Sequence, residues 1–305
     1  MTTGFSRASI RFPAFQHIWV PSSSRRAAGA GISMYSPCVA PAILAQRALY
    51  VAVRLLGPKI LPGRRESWSE PIEADAWQIF VDEWRDSFGP WDSAALYRRP
   101  QLGRTGCTLL LLRRGRGVGF VRISPDSARV AREFLVMKGV HAARPSTFAI
   151  ARPLGWGTEA GWSWLGTESV PNYPLGAVRR QSVRHAVAEE ISAILDGFLD
   201  RPADDVPSDW RGSHGDFAPW NLRTELSGRV RVIDWEDAAF APANVDLLYG
   251  DLTSHLTFGT PLPPLASMDS ARWITEVVRQ RLAPEEGANS INSRLLELLA
   301  TVPVA

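Results

Sequence analysis

The chain has 305 residues, of which 45% are hydrophobic and 21% charged, proportions that suit a packed core and exclude wholesale disorder. Two cysteines, Cys38 and Cys107, exclude a disulfide framework, and no Cys/His spacing suggests a zinc site. The net charge of +3 conceals an asymmetry: residues 1–65 hold nine basic residues and no acid, while the rest holds 25 basic against 31 acidic residues. The cysteine usage suits a reducing compartment, so a cytoplasmic location is expected.

Residues 1–65 read as a basic N-terminal extension, with three open interpretations: a transit peptide, an arm resting on an anionic surface, or an exposed leader joined to a docked helix. Within it, residues 39–56 are strongly apolar but interrupted by Arg47 and Arg54, too short a run for a membrane span. Helical spacing groups Arg47, Tyr50 and Arg54 on one face and Leu44, Ala48, Val51 and Leu55 on another. An amphipathic helix that docks on the main body is expected, and the alternative is a weak contact with an anionic membrane or a protein. A Pro/Gly/Arg cluster at residues 57–65 marks a linker.

The spacing of Trp77, Phe80, Val81 and Trp84 predicts a helix over 73–87. Strand-like runs follow at Thr105–Leu112 and Gly117–Ile123, joined by a turn-rich Arg-Arg-Gly-Arg segment. Pro125-Asp126-Ser127 opens a helix to about Lys138, with Val130, Phe134 and Met137 as its apolar stripe. Short strands are expected at Phe148–Gly155 and Trp162–Thr167, a helix at Ser182–Leu199, and helices near 243–256, 269–283 and 290–301. Strands with one helix followed by a mostly helical half indicate an α+β class of two lobes. The expected division is 1–65, a β-rich N-lobe over 66–168 and a larger helical C-lobe over 169–305. Glycines 115, 117 and 119 satisfy neither a Rossmann nor a Walker A pattern, and read as a hairpin turn.

The chemistry concentrates in residues 213–237. Phosphoryl transfer needs metal ions on the phosphates, a carboxylate that orients the acceptor hydroxyl, and a cation for the nucleotide phosphates. Asp216 lies in a loop, and Asn221 follows it at the Asp-x-x-x-x-Asn interval of a kinase catalytic loop, where the amide oxygen ligates metal. A β-type run, Arg229–Ile233, then ends in Asp234, after room for two short strands joined at Ser227-Gly228. A carboxylate at a strand end is rigidly held and suits a metal. His214 supports the loop by hydrogen bonding. A lone His-x-Asp or Ile-Asp-Trp would signify only a turn or cap; residue types, spacing and hairpin agreeing together make the pattern specific.

Residues 212–252 resemble the aminoglycoside phosphotransferase family, whose relatives include choline and homoserine kinases. The resemblance rests on His-Gly-Asp-Phe-Ala-Pro-Trp-Asn-Leu-Arg, Val-Ile-Asp-Trp-Glu-Asp-Ala and Pro-Ala-Asn-Val-Asp-Leu-Leu-Tyr. It implies a bilobal protein-kinase-like fold, ATP or GTP as co-substrate, and Mg2+. It also implies Asp216 as catalytic base, Asn221 and Asp234 as metal ligands, and Asp246 as a brace for the helical lobe. The partners so implied are a nucleoside triphosphate and a small-molecule hydroxyl acceptor (an aminoglycoside, sugar or amino alcohol), and no nucleic acid. Trp-Glu in place of Phe-Gly after Asp234, and no long activation segment, separate the chain from protein kinases. Glu236, Asp237 and Asp251 suggest an acidic acceptor pocket for a cationic substrate, with solvated helix-end charges as the alternative.

One position departs from the pattern. The small-lobe strand Val118–Ile123 offers Arg122 where a phosphate-gripping lysine belongs, with Glu133 as its helix partner. Only two lysines accompany 32 arginines, so Arg122 can be a compositional replacement; arginine is nevertheless larger and planar. An active enzyme and a catalytically impaired pseudokinase that binds nucleotide or acts as a scaffold both remain open.

Overall fold

The computed structural model describes residues 7–11, 17–34, 37–70, 72–98, 106–171, 173–201, 206–262, 267–282 and 291–301. They divide into two compact units, one drawn from Met1–Pro100, Arg104–Phe134 and Ala151–Leu175, the other from Gln101–Gly103, Leu135–Ile150 and Gly176–Ala305. The expected start of one strand at Thr105, and helix limits at Ala283 and Ser290, lie outside the described residues.

In chain order the elements begin with β1 (Ala8–Arg11), β2 (Ile18–Pro21), α1 (Arg25–Ser33), α2 (Ala40–Leu56), β3 (Arg64–Ser67) and α3 (Ala74–Phe88). Next come β4 (Ser93–Arg98), β5 (Cys107–Arg113), β6 (Arg116–Ser124), α4 (Ser127–Ala143), β7 (Phe148–Ala149), β8 (Pro153–Glu159) and β9 (Trp162–Glu168). The first unit is built on an antiparallel sheet of order β3-β1-β2-β4-β5-β6-β9-β8. The basic N-terminal stretch therefore contributes β1, β2 and the start of β3 to this sheet, beyond the one helix that its sequence suggested.

Strand alternation explains how the sheet faces are filled. Along β6, Gly119, Val121 and Ile123 are buried while Phe120 and Arg122 point to the opposite side. Val121 and Ile123 join Leu109 and Leu111 of β5 in the core beneath α3. There Trp77 and Trp84 meet edge to face at 5.3 Å, and Trp84 and Trp164 at 6.4 Å. The other side of the sheet packs Leu110, Leu112 and Phe120 against Ala27 and Ala30 of α1. Gly119 serves packing: a Cβ there would lie 2.3 Å from the Phe88 ring. The β5–β6 turn has Arg114 and Gly115 both at positive φ, a conformation glycine takes at no steric cost. A Cβ at Gly115 would come within 2.7 Å of the Ala27 amide nitrogen, so the turn sits directly against the start of α1.

Helix α4 begins with the Arg129 amide bonded to the Asp126 carboxylate, as the Pro-Asp-Ser signal predicts, and runs on to Ala143. The second unit continues with β10 (Gly176–Ala177), α5 (Gln181–Asp196), β11 (Arg211–Ser213), β12 (Leu222–Thr224), β13 (Val230–Val232) and β14 (Ala239–Ala241). It closes with α6 (Val245–Phe258), α7 (Met268–Leu282) and α8 (Ile291–Thr301). Its strands form a four-stranded sheet, β10-β12-β13-β7, and the pair β11–β14. Apolar faces of α6, α7 and α8 share a core through Leu252, Ile274, Val278 and Leu295. The fold is α+β, with sheet concentrated in the N-terminal part and helix in the C-terminal part.

Helix α2 spans Ala40–Leu56, matching the apolar stretch, with Pro41 in its first turn and Gly57 at its end. Its packing reverses the expected orientation. Ile43 and Val53 are the buried positions, and Leu44, Val51 and Leu55 lie on the open side at 65%, 52% and 64% exposure. Among the described residues no helix is long and apolar enough to cross a membrane.

Candidate active site

The site develops around the loop between β11 and β12. Strand β11 pairs with β14, Ser213 opposite Ala239, and delivers the chain to His214. Gly215 follows at φ 78°, and a Cβ there would lie 2.2 Å from the Asp237 carbonyl oxygen, so the loop closes tightly against that segment. Asp246, in the first turn of α6, braces the turn from beneath. It accepts the Ser213 hydroxyl at 2.8 Å, the His214 amide at 2.6 Å and the Gly215 amide at 3.2 Å. Burial raises the Asp246 carboxyl above the usual range in spite of these donors.

His214 is fully buried. Its Nδ1 accepts the Asp216 amide at 3.3 Å, which leaves Nε2 to donate to the Ile233 carbonyl at 3.2 Å. Its ring lies 4.7 Å from Trp235 and 6.3 Å from Phe217. His214 thus ties the loop to the segment just after β13.

Asp216 is held at both carboxylate oxygens. Oδ2 accepts the Asn221 amide nitrogen at 2.7 Å, while Oδ1 accepts the Tyr249 hydroxyl at 3.1 Å and Arg281 Nη1 at 2.8 Å. Burial opposes its ionisation, but the Arg281 guanidinium, aided by the Asn221 and Tyr249 bonds, prevails and holds the carboxyl below the ordinary value. Arg281 spends Nη1 on Asp216 and on the Tyr249 hydroxyl at 2.9 Å; its Nη2 goes to the Gly215 carbonyl at 3.0 Å and Asp237 at 2.8 Å. Burial works against this charge, yet the two carboxylates keep Arg281 firmly cationic. Burial and the adjacent Asp216 charge both raise the Tyr249 phenol.

Asn221 and the segment leading into Asp234 lie at the open end of the β12–β13 hairpin. Leu222 pairs with Val232, and the Ile233 amide donates to the Asn221 carbonyl at 3.1 Å, which sets Asn221 beside the segment leading into Asp234. The Asn221 amide nitrogen is committed to Asp216, at its backbone carbonyl (2.9 Å) as well as its carboxylate, so its side-chain oxygen is the end left to accept. Asp234 takes a left-handed conformation, φ 68°, which is uncommon outside glycine and points to a local constraint. Among the described residues no three His, Cys, Asp or Glu side chains gather as a metal cluster. An amide oxygen and a carboxylate fit a hard divalent cation that takes its remaining ligands from phosphates and water.

In the first unit, Arg122 on β6 forms an ion pair with Glu133 on α4, both largely buried. Strand register sets Arg122 opposite Thr108 of β5 and Leu165 of β9. Lys138 is exposed.

Of the three acids expected near an acceptor, two are held by basic partners. Asp251 is buried between α5 and α6, where it accepts from Gln181 at 2.7 Å, Arg184 at 2.8 Å and His185 at 2.9 Å. Asp237 is paired with Arg281, and Glu236 is buried. Asp237 and Asp251 are thus engaged in structural pairs. Arg281 and Tyr249 are the site residues that sequence reasoning misses. Tyr249 lies one helical turn past Asp246, a spacing that could have marked it, whereas Arg281 stands 65 residues from Asp216 with no local signal.

Residues 166–280 match the phosphotransferase enzyme family, APH. That stretch contains the whole Asp216, Asn221 and Asp234 block, and the resemblance read from that block agrees with it. No curated protein matches the chain. Among solved structures, an amicoumacin kinase in complex with AMP-PNP, Ca2+ and Ami has a TM-score of 0.46 at 8% identity, over 75% of this chain and 85% of that one. The aminoglycoside phosphotransferase APH(4)-Ia, in a ternary complex with ADP and hygromycin B, has a TM-score of 0.41 at 14% identity, over 72% and 87%. The PknI kinase domain of Mycobacterium tuberculosis has a TM-score of 0.33 at 16% identity, over 70% and 98%.

Proposed function

We propose that this protein is a small-molecule kinase that moves the γ-phosphoryl group of ATP or GTP to a substrate hydroxyl. The observation that carries the reading is the Asp216 carboxylate, ionised and locked by Asn221, Tyr249 and Arg281 within the stretch that matches the phosphotransferase family. The acceptor oxygen attacks the γ-phosphorus, the bond to the β–γ bridging oxygen breaks, and the nucleoside diphosphate leaves. Asp216 orients the acceptor hydroxyl and takes its proton. A carboxylate of depressed basicity suits this work, because a loose phosphoryl-transfer transition state asks for orientation before proton removal. Asn221 and Asp234 would hold Mg2+, which when bound neutralises charge on the phosphates. Arg122, positioned by Glu133, takes the role of the phosphate-gripping cation, and His214 keeps the Asp216 loop in register with β13.

The acceptor we infer is uncharged near its reacting hydroxyl, as in a sugar or simple alcohol. An ammonium group next to Asp216 would meet the Arg281 cation, and the pairing of Asp237 and Asp251 leaves neither charge to receive it.

The test is phosphoryl transfer from γ-labelled ATP and GTP to matched neutral and amino-substituted hydroxyl compounds. Wild type transfers label to neutral acceptors, and Asp216→Asn loses about a hundredfold or more. Equal transfer by wild type and Asp216→Asn contradicts the mechanism. A preference for the amino-substituted acceptors contradicts the acceptor class alone. If wild type binds nucleotide but transfers nothing, and Arg122→Lys does transfer, the chain is the impaired form.

A further inference from the structure

Helix α2 turns its most apolar side outward. Leu44, Ala48, Val51 and Leu55 recur at i, i+4, i+7 and i+11, a straight line along a helix about 25 Å long. Single exposed leucines are ordinary, but a continuous line of them on one helix is not. Arg47 and Arg54 border this line on one side, about 60–80° round the axis. Arg54 also lines a cleft of about 460 Å³ with Ser24, Arg25, Arg26 and Arg114. All four of these arginines are exposed, and none of their guanidinium groups forms an ion pair with a described carboxylate.

The cleft breaks a local rule of helix chemistry. Arg25 and Arg26 occupy the first turn of α1, which holds no acid, although the positive end of a helix disfavours cations. Ser24 caps the Ala27 amide at 3.0 Å, leaving the Arg25 and Arg26 amides among the unpaired donors of that end. Gly115 brings the β5–β6 turn, and with it Arg114, against the same helix start. Four arginines share this concavity against one nearby carboxylate, Asp92, which accepts the Arg114 amide at 2.7 Å and the Ser93 hydroxyl at 3.0 Å, and the excess of positive charge favours an anionic occupant.

We infer that α2 and the arginine cleft form a docking face for an anionic lipid bilayer. The Leu44–Leu55 line enters the interface, Arg47 and Arg54 sit at the headgroup level, and lipid phosphates occupy the cleft. A soluble phosphate compound would satisfy the cleft and leave the apolar line in water. A second copy would cover the line but bring two arginine borders together, with no acid among residues 1–65 to relieve them. The inference does not rest on the phosphotransferase reading.

Co-flotation of the full chain with phosphatidylglycerol/phosphatidylcholine vesicles, and with phosphatidylcholine alone, tests it at about 0.1 M and 1 M salt. Binding is expected only to the anionic vesicles and only at low salt. Each arginine contributes about fivefold, so R25E/R26E/R114E binds about a hundredfold more weakly or less. L44S/V51S/L55S also loses binding, and because all six positions are exposed, both variants keep the wild-type melting curve. Equal binding to neutral vesicles, or retention by either variant, overturns the inference. So does stabilisation by pyrophosphate without flotation, or a wild-type dimer that L44S/V51S/L55S converts to monomer.

Discussion

Replacing Arg281 by glutamine removes the cation that joins Asp216, Asp237, Tyr249 and the Gly215 carbonyl. The side chain is 12% exposed, and its carboxylate partners 15% and 26%. Breaking a buried pair from one side costs about 3–5 kcal/mol, and the residual solvent access here places Arg281→Gln near the lower end, about 3 kcal/mol. For a domain of about 150–250 residues this lowers Tm by roughly 6–12 °C. The effect on protonation has a definite sign. In wild type the Asp216 carboxyl lies below its ordinary value, so its contribution to stability is present above about pH 4 and is lost as pH falls through the lower folded value. Without Arg281 burial prevails, the carboxyl rises, and the acidic limb of the rate profile moves to higher pH. The turnover number falls about tenfold to a hundredfold as the carboxylate loses its fixed orientation. Melting by circular dichroism and a pH series of phosphoryl transfer read both effects. Adding Asp237→Asn should recover part of the lost stability, because it removes one of the carboxylates left unpaired. An unchanged Tm with an unchanged acidic limb would refute the reasoning.

Asp246→Ala leaves the Ser213 hydroxyl and the His214 amide without their acceptor, while the Gly215 amide keeps the Ser213 oxygen at 3.1 Å, at a cost of about 2–4 kcal/mol. Activity should fall with the loop's order, read as loss of hydrogen-exchange protection at His214 and Gly215 before global unfolding. Under native conditions a maleimide should label Cys38 and spare Cys107, whose thiol burial pushes up to about 12; mass spectrometry showing equal labelling would contradict the buried placement of β5. Glu133→Gln should weaken nucleotide binding more than it lowers Tm, because it frees the Arg122 fork from its fixed position; competition with a fluorescent nucleotide measures this.

The loop that carries Asp216 and Asn221 was legible because its information is local. Asp216, Asn221 and Asp234 are fixed by a turn, a two-strand hairpin and a strand end, all encoded within about twenty consecutive residues. The Trp77/Phe80/Val81/Trp84 stripe of α3 and the β5–β6 hairpin were legible for the same reason. Strands β1, β2 and β3 were not: each is four residues long, and β3 reads Arg-Arg-Glu-Ser with no buried residue. They exist through pairing with one another and with β4. The orientation of α2 was hidden because its partner α1 is rich in Ala and Gly. The Arg54 stem packs over Gly29, so a face carrying arginines can be the inner edge while leucines face out. Arg281 depends on how α7 packs on α6, which no local pattern records.

The central claim is tested most directly by the thermal shift of wild type, Asp216→Asn and Asp234→Ala with ATP or GTP, with and without Mg2+. A nucleotide at about a hundred times its Kd stabilises a protein by about 2.7 kcal/mol, a shift of several degrees. A magnesium-dependent shift in wild type and Asp216→Asn that disappears in Asp234→Ala is the predicted result. A shift that survives intact in Asp234→Ala, or no shift in wild type with either nucleotide, would contradict the account.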